Sequence, residues 1–378
     1  MILNAHSITS SLIGNDDKAM VFRKSFTCKK VKSACLEITA YGIYEAVING
    51  SRVGNFVLAP GWTSYSNRIQ YQTYDITDML GSDNTIDISV ATGWTYRMGY
   101  RQTTERKSVC AIAAIGIDYE DGTHEEIYTD ETWEVVSSPV EFATLYDGER
   151  YNAAYTEINY TQTAEKTPER HGIDKGLLVP QEGEPIVEHE SYPVREIIHT
   201  PAGETVLDFG YNLVGYVEFT LEDAKAGDEI SYTHAEILDK HGNFYTENLR
   251  SAQQRITYIA RDGRQTYKPH FTFMGGRYVR LDKYPYEVKP ENFRFIVIHS
   301  DIKRTGYFEC SDPRVNTLFD NIIRGQRGNY VDVPTDCPQR DERLGWTGDA
   351  EVFVRAAAYN FDVDKFFRKW LFDLILDQ

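Results

Sequence analysis

DCPQRDERLGWTGDAE, residues Asp336–Glu351, packs five carboxylic side chains, two arginines and a tryptophan into sixteen positions. The acids are Asp336, Asp341, Glu342, Asp349 and Glu351; the cations are Arg340 and Arg343, and the indole is Trp346. Pro338, Gly345 and Gly348 disfavour continuous helix before Thr347, so the segment is expected to be a loop that feeds a helix N-terminus. Like charges at this density repel one another unless some are protonated, paired or bound to a ligand. That cost marks the segment as a candidate site.

Downstream the period is helical. Thr347 opens a helix from Gly348 to about Asn360, and Asp362 opens another with Phe366, Phe367, Trp370, Leu371 and Leu374 on one face. Upstream, Asp312 and Pro313 supply a cap and a first-turn proline. Val315, Leu318, Phe319 and Ile322 then follow at the i, i+3, i+4, i+7 spacing of an apolar stripe.

Before Arg304 the pattern is that of strands. Ala34–Thr39, Ile43–Ile48, Ile69–Tyr74 and Ile86–Ala91 alternate roughly, broken by turn formers, with Asn49-Gly50 the clearest hairpin. Residues 161 to about 190 hold Pro168, Pro180 and Pro185 among charges and read as a surface connector. Strand candidates return at Val206–Phe209, Tyr216–Leu221, Glu229–His234, Gln254–Ala260, Tyr278–Leu281 and Phe293–Ile298, with Gly210 and Gly215 among the breaks. The expected fold is multi-domain: an antiparallel β-sandwich over 1–190 including the connector, a second over 191–303, and helices over 304–378.

Composition narrows the function. A formal charge of −17 argues against a broad phosphate-binding face, so no nucleic-acid partner is expected. No stretch approaches the ~18 apolar residues of a membrane span, and the start has neither a basic leader nor a signal-like apolar run. Five cysteines, odd in number and without a CxxC pair, suggest neither a disulfide framework nor a zinc site. A cytoplasmic setting is the expectation. The 26 Tyr, 18 Phe and 5 Trp fit a β-rich protein, with a few as candidates for sugar stacking.

Four readings of 336–351 compete. A solvated acidic turn is the plainest, each surface ion pair being worth ~0–1 kcal/mol, yet it has no need of Trp346, Gly345 and Gly348. A metal loop fails on spacing and on the lack of histidine. A phosphate loop fails because GWTGD has no lysine. Glycoside hydrolysis uses these residue types directly: one carboxylic acid protonates the leaving oxygen, others grip hydroxyls, and an indole packs on the apolar sugar face.

The segment strongly resembles the catalytic signature of bacterial α-L-rhamnosidases of glycoside hydrolase family 78. Val57–Thr77 (VLAPGWTSYSNRIQYQTYDIT) resembles that family's N-terminal domain. Asp208–Tyr216, His234–Ala252 (HAEILDKHGNFYTENLRSA) and Tyr267–Leu281 resemble its second β domain, and Phe308–Phe353 the start of its (α/α)6 six-hairpin barrel. The resemblance implies that Glu342 is the general acid of an inverting α-L-rhamnosidase acting on rhamnose-containing glycosides or oligosaccharides without a cofactor or metal. It implies that Asp336 and Asp349 bind sugar hydroxyls and that Trp346 walls the pocket. For Arg340 two roles stay open, sugar contact or holding Asp336 and Glu342. An acid must stay protonated near neutrality, so Asp341, Asp349 and burial against Trp346 are expected to raise the pKa of Glu342.

The chain departs from the family in one respect. Twelve helices make the barrel and three are counted here, and no position matches the general base that inversion requires ~6.5–9.5 Å from the acid. Glu351 reads as a supporting residue. The 378 residues are therefore expected to be an N-terminal portion truncated early in the barrel, hydrolysing little or nothing alone. The aromatic face of the last helix would lie uncovered and invite aggregation or a homo-oligomer. Cys337 is read as a small buried thiol, His234 and Glu236 as structural hydrogen-bonding residues, and Trp62 and Trp94 as core. The rival functions are a non-catalytic carbohydrate-binding β-sandwich protein and a six-hairpin glycosidase for another sugar.

Overall fold

The computed structural model describes residues 1–11, 17–96, 98, 109–167 and 172–378. Among them the chain is sheet-rich and multi-domain, with three α-helices gathered at its C-terminal end. Pro168, expected in the connector, lies outside the described residues.

Two sheets build the first unit. One runs Glu165–Lys166, Ile8–Thr9, Cys110–Tyr119, Val31–Tyr41, Ile69–Asp75, Leu178–Pro180; the other runs Asn159–Thr163, Glu134–Val136, Met20–Thr27, Asp83–Ala91, Ile43–Ile48, Ser51–Arg52. Alternate residues point to opposite faces of a strand. Accordingly Leu36, Ile38 and Ala40 from the first sheet meet Ile86, Ile88 and Val90 from the second in a shared core. Sealing each large aliphatic from water is worth about 1.5–3 kcal/mol. The Asn49-Gly50 hairpin is present, with φ of 51° and 81°, the left-handed pair that a two-residue turn requires.

A ten-stranded sheet forms the second unit, its central strand being Thr205–Ala224. This strand continues through Gly210 and Gly215, which sequence reading treated as breaks. It bulges instead, between Asp208 and Leu213, and at Gly215 it takes up Phe293–Ser300 as a partner. A Cβ at Gly215, where φ is 148°, would sit 1.9 Å from the Ile296 carbonyl oxygen, so only glycine fits that approach.

The hairpin Val140–Thr144/Gly148–Asn152 belongs to the ten-stranded sheet, although its sequence lies inside the first unit. Its second strand pairs in parallel with Arg255–Ile259. The connector also differs from the surface run expected. Glu165–Lys166 and Leu178–Pro180 add to the first unit's sheet, and Ile186–Pro193 edges the ten-stranded one. Backbone polar groups that pass close to a sheet are satisfied by pairing, and two- or three-residue strands are too short to show a period.

Helix α1 (Pro313–Asn329) starts at an Asp312 cap whose side chain accepts from the Arg314 N–H. Its buried side is Ile323, Gln326 and Gly328, while Val315, Leu318 and Ile322 of the expected stripe are exposed. Gln326 joins it to α2 (Thr347–Asn360): its amide donates to the Ala357 carbonyl and accepts from Asn360. Helix α3 (Asp364–Leu376) corrects another expectation. Phe366, Phe367 and Trp370 are buried within this chain, stacked around Tyr330 and packed with Val333, so the uncovered residues are Leu371, Phe372 and Ile375. The reason is polar anchoring that periodicity cannot reveal. Arg68 of the first unit binds Asp373 at 2.7 Å and the Lys369 carbonyl at 2.8 Å, which presses the helix onto the β layer.

Candidate active site

Residues 336–346 form a loop, as expected, and Arg343 holds it down. The side chain of Arg343 is sealed from water and donates to the carbonyls of Leu145 and Phe273, both at 2.7 Å, and of Gln339 and Arg340. Burial pulls its pKa down to about 10, so it remains a cation at neutral pH. Backbone φ at Arg343 is 51°, which turns the chain so that Glu342 and Arg343 leave in different directions. Across the loop, Asp336 Oδ1 accepts from the Leu344 N–H at 2.9 Å.

Glu342 is 8% exposed and fully engaged. Oε1 accepts from Trp346 Nε1 at 2.9 Å; Oε2 accepts from Arg340 Nε and from Arg250 Nη1, each at 3.0 Å. Arg340 also reaches Asp336 Oδ2 at 3.1 Å, so it spans both carboxylates. Tyr146 Oη donates to the Glu342 carbonyl at 2.6 Å. The cluster thus gathers Asp336, Arg340, Glu342 and Trp346.

The charge state differs from the expectation. Burial pushes the Glu342 carboxyl up, but the Trp346 hydrogen bond and the Arg340 and Arg250 guanidiniums outweigh it, leaving it below the ordinary glutamate value. Asp341, expected to raise it, is turned toward Ser251, whose hydroxyl and N–H donate to Oδ2 at 2.5 and 3.4 Å.

Two cavities flank the cluster. Asp336 and Asp349 share one of about 350 Å³ between α1, α2 and the loop, with Gln326, Asn329 and Tyr330. Asp349 is exposed in the first turn of α2, where a carboxylate is favoured by the helix dipole. Trp346, half exposed, lines the other, about 540 Å³, opposite Trp62 and Trp370. Asp349 and Trp346 therefore line different cavities, and Glu342 lies beside Trp346 without lining either of the two.

The remaining candidates are placed as follows. Cys337 is buried, which raises its thiol to about 11. His234 is sealed in the second core; burial lowers its pKa to about 3, against the opposing effect of a backbone hydrogen bond with Gln254. Glu236 accepts from Asn212 and Asn248. Trp94 is core, and Trp62 stacks on it while facing the larger cavity.

Among the described residues, two groups could present three ligand atoms to a cation: Asp336, Cys337 and Glu342, and His189, Glu190 and His299. A guanidinium bridges the carboxylates of the first. In the second the imidazoles stack in parallel at 3.5 Å, so their in-plane lone pairs do not converge. Neither suits a metal.

Arg250, Arg343 and Tyr146 escaped sequence reasoning. Arg250 sits in a quoted motif, ENLRSA, but nothing local shows that it crosses to Glu342.

Models of three domain families match the chain: α-L-rhamnosidase N-terminal domain over 29–190, bacterial α-L-rhamnosidase concanavalin-like domain over 198–299, and bacterial α-L-rhamnosidase 6 hairpin glycosidase domain over 303–378. A Streptomyces avermitilis protein named α-L-rhamnosidase is 40% identical over 360 residues, covering 92% of this chain and 34% of its own length. The native α-L-rhamnosidase structure from Aspergillus terreus superposes with a TM-score of 0.91 at 35% identity, over 97% of this chain and 44% of that one. The Streptomyces avermitilis enzyme complexed with L-rhamnose gives 0.89 at 37%, over 94% and 36%. The chain thus spans about a third of the curated relative's length.

Proposed function

The chain belongs to the bacterial α-L-rhamnosidase family, and on that premise we propose that it carries the proton-donating half of an inverting α-L-rhamnosidase site. In this reading Glu342 protonates the departing glycosidic oxygen, Asp336 and Asp349 accept hydrogen bonds from sugar hydroxyls, and Trp346 packs against the sugar. Arg340 holds Asp336 and Glu342 at a fixed spacing. Substrates are glycosides or oligosaccharides with terminal α-L-rhamnose, in a cytoplasmic setting.

One observation carries the reading: a carboxyl withdrawn from water, held by an indole on one oxygen and guanidiniums on the other, and joined through Arg340 to Asp336, which lines a cavity with Asp349. Positioned proton transfer is typically worth ~10²–10⁴ in rate. We read the β units as antiparallel sandwich domains and α1–α3 as the first helices of an (α/α)6 barrel. The exposed Leu318, Val352, Leu371 and Ile375 are the kind of surface that further barrel helices cover. Inversion needs a carboxylate ~6.5–9.5 Å from the acid to activate water, and we assign that role to none of the described residues. The 378 residues alone are accordingly expected to turn over little.

The test measures hydrolysis of an aryl α-L-rhamnoside, read as release of the aryl alcohol, by residues 1–378 and by the same residues extended with the rest of the Streptomyces avermitilis relative's hairpin domain. Turnover by the extended protein, lost in Glu342→Gln, supports the proposal. Turnover restricted to another aryl glycoside, or undiminished in Glu342→Gln, overturns it. Turnover by residues 1–378 that Glu342→Gln removes would overturn the expectation of a silent fragment.

A further inference from the structure

Three donors hold Glu342 as a carboxylate, one on Oε1 and two on Oε2, and none of them can accept. Two of the three are guanidinium cations, whose charge opposes a proton on that carboxyl. Drawing one of these cations away is what favours Glu342 holding a proton for transfer. Trp346 and Arg340 share its loop, and Arg340 is tied down by Asp336 as well. Arg250 comes from elsewhere, the loop after the short turn Glu247–Leu249 of the second β unit, and its side chain is partly exposed.

Next to Arg250 stands a second acceptor. Asp341 Oδ1 is 3.8 Å from the same Nη1 that binds Glu342, and this oxygen is buried without a hydrogen-bond partner among the described residues. An unsatisfied buried carboxylate oxygen is costly, and a small swing of the guanidinium would relieve it. The Ser251 contacts hold Asp341 in place for that exchange. The Arg250 backbone sits at φ 60°, ψ −116°, a conformation non-glycine residues rarely adopt and one kept only where surroundings enforce it.

We propose that Arg250 is a positioning residue for Glu342, a guanidinium lent across the domain junction for which Glu342 and Asp341 compete, and whose transfer to Asp341 arms Glu342 as a proton donor. The proposal rests on the reading of Glu342 as the acid. Among the described residues, the charged and titratable groups around that carboxyl are Arg340, Asp336, Cys337 and Asp341 on its own loop and Arg250 from the β unit, with Tyr146 on its backbone carbonyl.

Because Trp346 donates to Glu342, its fluorescence reports that carboxyl's protonation. The experiment titrates the emission of residues 1–378 from pH 2 to 8. Glu342→Gln and Trp346→Phe identify the transition by abolishing it. In Arg250→Gln the midpoint is expected to rise by about one pH unit, the lower end of what an opposite charge at this range does to a carboxylate. Arg250→Lys should recover part of the shift, and it serves as the working variant should the glutamine form fail to fold. An unmoved or lowered midpoint in both, with thermal unfolding unchanged, overturns the proposal. The titration requires no turnover, so it fails independently of the hydrolysis test.

Discussion

Lys369 Nζ and Asp332 Oδ2 meet at 2.8 Å with both side chains all but sealed from water, joining α3 to the turn between Tyr330–Val331 and Val333–Pro334. Asp332 also accepts the Trp62 N–H, and Lys369 donates to the Trp62 carbonyl, so the first β unit shares the junction. Removing one member of a buried pair leaves the other uncompensated, at a cost of ~3–5 kcal/mol. Lys369→Met should lower unfolding stability by about that much in denaturant titration, while Lys369→Met with Asp332→Asn should recover part of it.

Arg343→Met should loosen the loop more than it alters its charge. Four carbonyls lose a donor, and each buried acceptor left unpaired costs ~1–3 kcal/mol. A loss of about 3 kcal/mol or more is expected in chemical denaturation. Lysine should not rescue it, since one ammonium placed where Nη1 serves Leu145 and Phe273 cannot also reach the Arg340 and Gln339 carbonyls that Nε and Nη2 bind.

Asp336 and Asp349 should separate by readout. Asp336 closes its own loop and is bonded by Arg340, so Asp336→Asn is expected to weaken L-rhamnose binding and lower the melting temperature together. Asp349 is exposed at the rim of the same cavity. Asp349→Asn should weaken binding, by about tenfold for one charge-assisted hydrogen bond, with little change in melting.

His270 and Glu45 predict a pH dependence at the junction of the two β units, where Nδ1 and Oε2 lie 2.8 Å apart. Burial alone would push His270 down, but the charge and hydrogen bond of Glu45 carry it up to about 9; Glu45 in turn lies below the ordinary glutamate value. A raised histidine contributes stability that is complete below its unfolded pKa near 6.5 and lost as pH climbs through 9. The Glu45 contribution is complete above the ordinary glutamate value and lost on acidification. The melting-temperature advantage of the native chain over His270→Gln should therefore be largest near pH 5–6.5 and shrink toward pH 9.5. A constant advantage across that window would refute the linkage.

Much of this architecture is legible locally. Ile43–Ile48 alternates and ends in Asn-Gly, and it is a strand with that turn. Asp312-Pro313 announces α1, and the loop character of 336–346 follows from its proline and glycines. What local pattern cannot carry is the partner. The hairpin at Val140–Asn152 lies within the first unit's sequence yet pairs elsewhere, and the aromatic face of α3 looks the same whether covered by helices or by a β layer. The donors on Glu342 illustrate the same limit. Arg340 and Trp346 are two and four residues away and could be guessed, whereas Arg250 lies 92 positions upstream; the Trp346 hydrogen bond and the two guanidiniums together reverse the expected direction of the pKa.

The hairpin at 140–152 bears on how such proteins are inherited. A recombination point placed in the 161–190 stretch, where the chain looks most easily divided, would import two foreign strands into the sheet that carries Arg250, together with the Leu145 carbonyl that Arg343 grips. Natural or engineered shuffling of the N-terminal module is thus constrained to exchange both sides of this seam together.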